Sequence, residues 1–426
     1  MDEFITRQNF INLNSSGIKK KTQFNFYDRA LSLLIALQIF GIYGGALQPI
    51  RIFIILLIPA AALYLTRSHI IGYFRYEARY FAVFLIYAIA AGLFVTDQVA
   101  AIKELSYLAV NFSSIFVIIY LASKAINPKT SIINGWVLLF IFSIPIAFIE
   151  IFFDYHIPIS VLKSDEIAGG IGESRRSASV TFGNYNAYNV ILVYTLPFIS
   201  ARLLIRKSFW AQFFGWFIIL LLFFMVVTNA SRGSLVCISV TFIVFLFHYL
   251  KSGIRGRYFF VTALSVVVAF IVIKYADAIF TLIAYRFSEF GVQDNNRSAL
   301  IYNSIELFFK SYCLGVGTGN FQAAMSYYSN LPIIAPHNFF LEIAVQYGLF
   351  IFIGFLILLV RLYKRTTRET NRPFRFIVFI SLLIYPLASV INSGYIEGIS
   401  IWVQLGSLFI IGDPRFSIAK KINQVK

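Results

Sequence analysis

The sequence predicts an all-α integral membrane protein of about twelve transmembrane helices, and three observations carry that prediction. First, 59 % of its 426 residues are hydrophobic and only 13 % are charged, against roughly 45–50 % and ~25 % in soluble chains; the mean hydropathy is +0.78. Second, the apolar residues gather into runs near the ~20 residues that a bilayer-spanning helix needs. Third, the basic residues segregate to alternate links between those runs.

The runs are 31–48, 50–66, 78–96, 106–123, 131–152, 187–204, 209–228, 233–249, 258–274, 338–361, 375–391 and 399–412. The first two are nearly continuous and the last is short. With the N-terminus placed inside, the two tails and the links near 67–79, 124–130, 202–208, 250–257 and 361–376 hold 26 of the 36 Lys and Arg but 6 of the 19 Asp and Glu. The other links hold 10 basic and 13 acidic residues. The positive-inside rule then places both termini in the cytoplasm. The net charge of +17 would suggest nucleic acid in a soluble chain. Here it reads as cytoplasmic loop charge facing anionic lipid, and no nucleic-acid partner is expected. No cleavable signal peptide is expected, because the first 30 residues are polar and carry "KKK" at 19–21. Cys237 and Cys313 have neither metal nor redox spacing.

Two outer segments are long: 153–186, and a large one at 275–337 between the ninth and tenth helices. The rest of 1–426 reads as a single polytopic domain. Within the second segment, "SALIYNSIELFF" predicts an amphipathic helix near 298–312. Leu300, Ile301, Ile305, Phe308 and Phe309 fall near one face, to pack on the bundle or lie on the lipid interface.

Candidate site residues cluster on the outer side. In "TNASRGSLVCISV" (228–240), Arg232 opens the eighth span, with Ser231 or Asn229 placed to cap it. An arginine beside free helix N–H groups suits a phosphate; the bland alternative is a snorkelling interfacial arginine. In "IIAPHNFFLEIAVQYGLF" (333–350), His337 opens the tenth span. The positive helix end there disfavours imidazolium, leaving a ring able to accept a proton; otherwise it is a capping histidine. Asn338, Glu342 and Gln346 follow at intervals of four on one stripe, and an acid one turn into a membrane helix suggests function. Arg175, Arg176, Arg286 and Arg297 flank the same outer segments. Orientation is satisfied without them, whereas a multiply charged anion would use them; the bland alternative pairs them with Asp165, Glu166 or Glu173.

"GVGTGN" (315–320) has the glycine spacing of a nucleotide loop but lacks the preceding strand and the Lys-Ser/Thr of a P-loop, so it reads as a tight turn. The outward links hold no Asp-x-Asp pair and no His-x-x-x-His, so no metal and no cofactor are expected. A lipid-diphosphate donor fits that set, because arginines can stabilise its leaving group.

These residues resemble the O-antigen ligase and O-antigen polymerase superfamily of bacterial envelope glycosyltransferases. Three motifs carry the resemblance: "SRGSL" (231–235), "NNRSALIYNSIELF…LGVGTGNF" (295–321) and "HNFFLEIAVQYG" (337–348). Val236 and Ile351 depart from the family's usual leucine and its small residue or tyrosine. The resemblance implies that Arg232, Arg297 and His337 are essential, the arginines holding undecaprenyl diphosphate and the histidine activating or orienting the acceptor hydroxyl. Arg175, Arg176 and Arg286 add to the diphosphate site, and Ser231, Asn338 and Glu342 support it. The implied setting is the bacterial inner membrane, with a periplasmic active site. The implied partners are an undecaprenyl-diphosphate-linked glycan, an acceptor glycan or lipid A–core, membrane lipid, and a chain-length regulator. "RRSASVTFGNYN" (175–186) looks like the polymerase pattern, which favours polymerisation of O-antigen or exopolysaccharide repeat units over ligation to lipid A–core. The alternative from another class is a lipid-linked-glycan flippase or transporter, for which two similar halves would be expected; none is evident.

Overall fold

The computed structural model describes residues 24–157, 177–229, 231–254, 256–274, 290–326, 337–392 and 394–418. Among the described residues there are helices and turns and no strand. The principal helices are α1 (Phe26–Ala36), α2 (Pro49–Arg67), α3 (Arg75–Gly92), α4 (Gln98–Lys124), α5 (Pro128–Phe153), α6 (Tyr185–Ile205), α7 (Phe209–Thr228), α8 (Arg232–Leu250), α9 (Arg257–Lys274), α10 (Phe290–Lys310), α11 (Phe339–Thr366), α12 (Arg372–Ala388) and α13 (Ile399–Ile411). Eleven of the twelve apolar runs fall largely on one of them; the run 31–48 does not, since it overlaps α1 only over 31–36 and continues into single 3-10 turns at Leu37–Phe40 and Gly45–Leu47. Among the described residues, seven helices (α2, α4, α5, α6, α7, α8 and α11) are long and apolar enough to cross a membrane. The chain is therefore an all-α, multi-pass membrane protein. At 11 and 13 residues, α1 and α13 fall short of the ~17–25 a simple span requires.

Local chemistry sets where the helices begin. Asn25 and Asp28 form a capping box on α1. The side chains of Asp97, Asn184 and Ser208 cap α4, α6 and α7, and prolines sit in the first turns of α2, α5 and α12, where no N–H is missed. At the centre stands α6, packed on α5, α7, α8 and α12. It is buried on nearly every side, with Asn189, Thr195 and Ser200 in that interior among its apolar residues. Trp136 of α5 stacks on Phe198 of α6 with ring centroids 5.1 Å apart. The exposed Phe209, Trp210, Phe213, Phe214 and Phe217 of α7 suit a surface facing lipid.

The ends of the bundle differ. At one, where the described chain starts and finishes, buried charges lock the links together. Asp28 accepts from the backbone N–H of Ile126 (2.9 Å) and Asn127 (2.8 Å); Lys129 pairs with Glu369; Arg365 donates to Glu77 at 2.6 Å. The opposite end gathers the starts of α6, α8 and α11 and the link 389–398.

α11 is broken. Gly348 has a φ of +78°, which splits the helix after nine residues. The 315–320 turn repairs the break: Val316 N–H donates to the Val345 carbonyl at 2.9 Å and Gly317 N–H to that of Gln346 at 3.1 Å. The glycines are required there. Gly315 has a φ of +92°, and a Cβ on it would lie 2.6 Å from the Gln346 carbonyl oxygen. Irregular backbone at membrane depth is tolerated when buried and bonded in this way.

α10 corrects one sequence expectation. It runs Phe290–Lys310 rather than 298–312, and its buried face is Leu300, Ser304 and Leu307. Ile301, Ile305 and Phe309 turn outward, although they lie close to the buried stripe in a helical projection. The predicted apolar face is thus divided between the bundle and the exterior, and the inner part packs on Val345 and Leu341 of α11.

Candidate active site at the broken-helix end

The first half of α11 ends at Gly348, and His337 stands just before its start. Asn338 is the N-cap; its side-chain oxygen accepts from the N–H of Phe340 (3.0 Å) and Leu341 (3.2 Å). His337 therefore precedes the cap instead of supplying it, and sits in the left-handed region at φ +47°. Histidine tolerates that region better than most residues but still at a cost of about 1–2 kcal/mol. Strain of this kind is often kept where a side chain must point in a particular direction.

Arg232 is half-buried at the first position of α8. Ser231 occupies the N-cap position but does not cap the helix; its hydroxyl bonds that of Ser234 at 2.9 Å. Asn229 turns the other way. Its oxygen accepts from Ala178 N–H at 2.7 Å, and its amide donates to the Ala178 carbonyl and to Asn189 Oδ1, both at 3.0 Å. Without a side-chain cap, the first turn of α8 keeps the character of an anion site.

The link 389–398 joins these two helix starts. Phe339 N–H donates to the Ser389 carbonyl at 3.1 Å. Gly233, next to Arg232, lies so close that a Cβ there would sit 3.2 Å from Ile391 Cγ1. Glu342, 5 % exposed, accepts from Gly394 N–H at 2.9 Å and Tyr395 N–H at 3.1 Å. Asn111 of α4 donates to the carbonyls of Ile396 (3.0 Å) and Glu397 (3.2 Å). Glu342 thus has a defined positioning role, fixing the strap that spans the starts of α8 and α11. Gln346, on the same stripe, donates to Glu104, as does Tyr347.

The remaining arginines differ in what can be described. α10 packs on the first half of α11, which brings the backbone of Arg297 to this end of the molecule; its side chain lies outside the described residues, as do Arg175, Arg176 and Arg286 entirely. The segment that follows Arg176 is buried against the bundle. Glu150 of α5 accepts from the N–H of Ser179 (2.6 Å) and Val180 (2.7 Å), and Ile42 N–H donates to the Thr181 carbonyl at 2.8 Å. "SASVTF" therefore folds inward and ties the turn after α1 to α5 and to the end of α7.

Two cavities flank the 389–398 strap and share Gly394 and Glu397. One of about 250 Å³ is lined by Lys103, Glu104, Glu342 and Gln346; the other, about 370 Å³, by Arg51, Tyr107 and Asn184. Neither is lined by Arg232 or His337. Sequence reasoning missed Arg51 and Asn111, which sit inside apolar runs, and the strap itself, "SVINSGYIEG", which read as a short link. Its glycines and polar residues between two apolar helices were the available signal.

Among known proteins, the family model described as O-antigen ligase matches residues 217–356, about a third of the chain, a stretch that includes Arg232, Arg297 and His337. The chain is also 22 % identical over 324 residues to the teichuronic acid biosynthesis protein TuaE of Bacillus subtilis (strain 168). That alignment covers 71 % of this chain and 64 % of the relative, so the chain matches just under two thirds of that protein's length.

Proposed function

Because the chain belongs to the O-antigen ligase and O-antigen polymerase superfamily, we propose that it is a glycosyltransferase of polysaccharide biosynthesis that works at its broken-helix end. The donor is a glycan on undecaprenyl diphosphate, and the most direct activity is polymerisation of O-antigen or exopolysaccharide repeat units. The observation that carries this reading is the 389–398 strap, which holds the start of α8, with Arg232, beside the start of α11, with His337. Twelve spans with both termini cytoplasmic would put that end on the periplasmic side of a bacterial inner membrane.

In this reaction an acceptor hydroxyl attacks the anomeric carbon of the donor sugar. The new carbon–oxygen bond forms as the bond to the diphosphate breaks, with inversion. The hydroxyl proton passes to the neutral His337 ring, a general-base role worth typically ~10²–10⁴-fold. Undecaprenyl diphosphate leaves as an anion, held by Arg232, Arg297 and the uncapped first turn of α8. Arg175, Arg176 and Arg286 extend the same site. Charge stabilisation of this type needs no metal.

The match to a family of O-antigen ligases favours a second reading, ligation of a finished glycan to lipid A–core. Purified protein in detergent, given native undecaprenyl-diphosphate repeat units with EDTA, separates the two. A ladder of lengthened lipid-linked glycans without a second acceptor supports polymerisation. Transfer only when lipid A–core is added supports ligation. No transfer under either condition by folded protein would leave a lipid-linked-glycan flippase as the better reading.

A further inference from the structure

Arg51 presents a problem that the proposed reaction does not solve. It lies in the first turn of α2, is 4 % exposed, and opens on the cavity of about 370 Å³. Its Nη2 donates to the Glu397 carbonyl at 2.9 Å, and its guanidinium lies 3.9 Å over the Tyr107 ring. That fixes the plane and direction of the fork. Its Nε and Nη1, buried and donor-only, have no hydrogen-bond partner. A buried donor left unmet is costly, and one on a cation more so. The carboxylate in the cavity lining, Glu397, sits 3.6 Å from Lys103 and acts on Arg51 through its charge, without a hydrogen bond to Nε or Nη1.

The same cavity carries orphaned acceptors. Gln38 and Gln48 line it, and the Oε1 atom of each is buried without a partner. A pocket that presents an unmet guanidinium edge and two unmet amide oxygens asks for a ligand with an anionic group and hydroxyls together. Its volume falls within the ~300–1,000 Å³ usual for small-ligand sites. We infer that the Arg51 cavity is a subsite for an acidic sugar residue of the glycan substrate, its carboxylate or phosphate group on Arg51 and its hydroxyls donating to Gln38 and Gln48. Guanidinium geometry matches either anion through paired N–H bonds. The strap that holds Arg232 and His337 together also forms one wall of this cavity, so an occupant would bear on the reacting end through Gly394 and Glu397.

This inference rests on the proposed use of glycan substrates, but its test reads binding without turnover. The full chain in detergent is titrated with radiolabelled D-glucuronate, D-glucose 6-phosphate, D-glucose and inorganic phosphate. At least one of the two acidic sugars should bind at least tenfold more tightly than glucose. Arg51→Met should erase that preference with the melting midpoint retained, and Gln48→Leu should weaken charged and uncharged sugars alike. If Arg51→Met does not fold, Arg51→Lys, which keeps the charge and loses the fork, should still cut the preference severalfold. The inference is overturned if wild-type protein shows no preference for either acidic sugar, if the preference survives in a folded Arg51 variant, or if inorganic phosphate binds as tightly as the sugar phosphate. Preference for acidic sugars in a protein that transfers no glycan would instead count against the proposed reaction and leave the subsite standing.

Discussion

Glu342 offers a clean separation of positioning from chemistry. Its carboxylate meets the N–H groups of Gly394 and Tyr395 and is almost fully buried. In Glu342→Ala both donors lose their acceptor, at about 1–3 kcal/mol each. Much of that cost falls on the strap, since Asn111 and Arg51 still hold its far side. Glu342→Gln keeps an acceptor for only one of the two N–H groups and turns its amide NH2, a donor, toward the other, losing roughly 1–2 kcal/mol. A loss of 1.4 kcal/mol is about tenfold in an opening equilibrium. Hydrogen–deuterium exchange should therefore show the strap amides of Glu342→Gln exchanging about 5- to 30-fold faster, and those of Glu342→Ala faster still. Transfer should fall in the same order. Should transfer vanish in Glu342→Gln while strap exchange and melting midpoint stay at wild-type values, Glu342 would be acting on substrate and the positioning role would be wrong.

Other substitutions probe the same construction. His337→Gly should be about 1–2 kcal/mol more stable than His337→Ala in thermal melts, because only glycine occupies φ +47° without strain; equal midpoints would remove the case for strain. Gly315→Ala should lower the melting midpoint by the equivalent of at least ~1–3 kcal/mol, since its φ is +92° and the Gln346 carbonyl fills the space for a Cβ; unchanged stability would mean that the turn does not dock on the break in α11. Asn229→Leu leaves the Ala178 N–H and carbonyl and Asn189 Oδ1 without this partner, costing about 1–3 kcal/mol for each group left unmet, and should reduce transfer along with stability. Lys129→Met strands the buried Glu369 carboxylate, and should cost about 3–5 kcal/mol in stability without altering the catalytic properties of the protein that folds.

The helices were legible because membrane burial makes each span a long apolar run, and the outward arginines and His337 stood out as charge or polarity that topology does not demand. What stayed hidden was backbone. Gly348 reads as one residue in an apolar run, yet its dihedral splits α11 and creates the seat for the glycine turn. "SASVTFGN" reads as loop because its side chains are small and polar; it is buried because Glu150 and Asn229, distant in sequence, satisfy its N–H groups. Arg51 looked like part of an apolar run, and its importance depends on Tyr107 and Glu397, which sequence separation conceals. The split face of α10 has the same cause, since periodicity finds apolar residues but does not say which of them meet a protein neighbour.

The direct test of the proposed site is transfer from native undecaprenyl-diphosphate repeat units by wild type, Arg232→Ala and His337→Ala, each purified to the same melting profile. Loss of one donor to a developing anion costs ~10²–10³-fold, and loss of a general base ~10²–10⁴-fold. Each variant should fall by at least about a hundredfold while remaining folded. Folded variants that transfer glycan within a fewfold of wild type would show that Arg232 and His337 do not form the reacting centre.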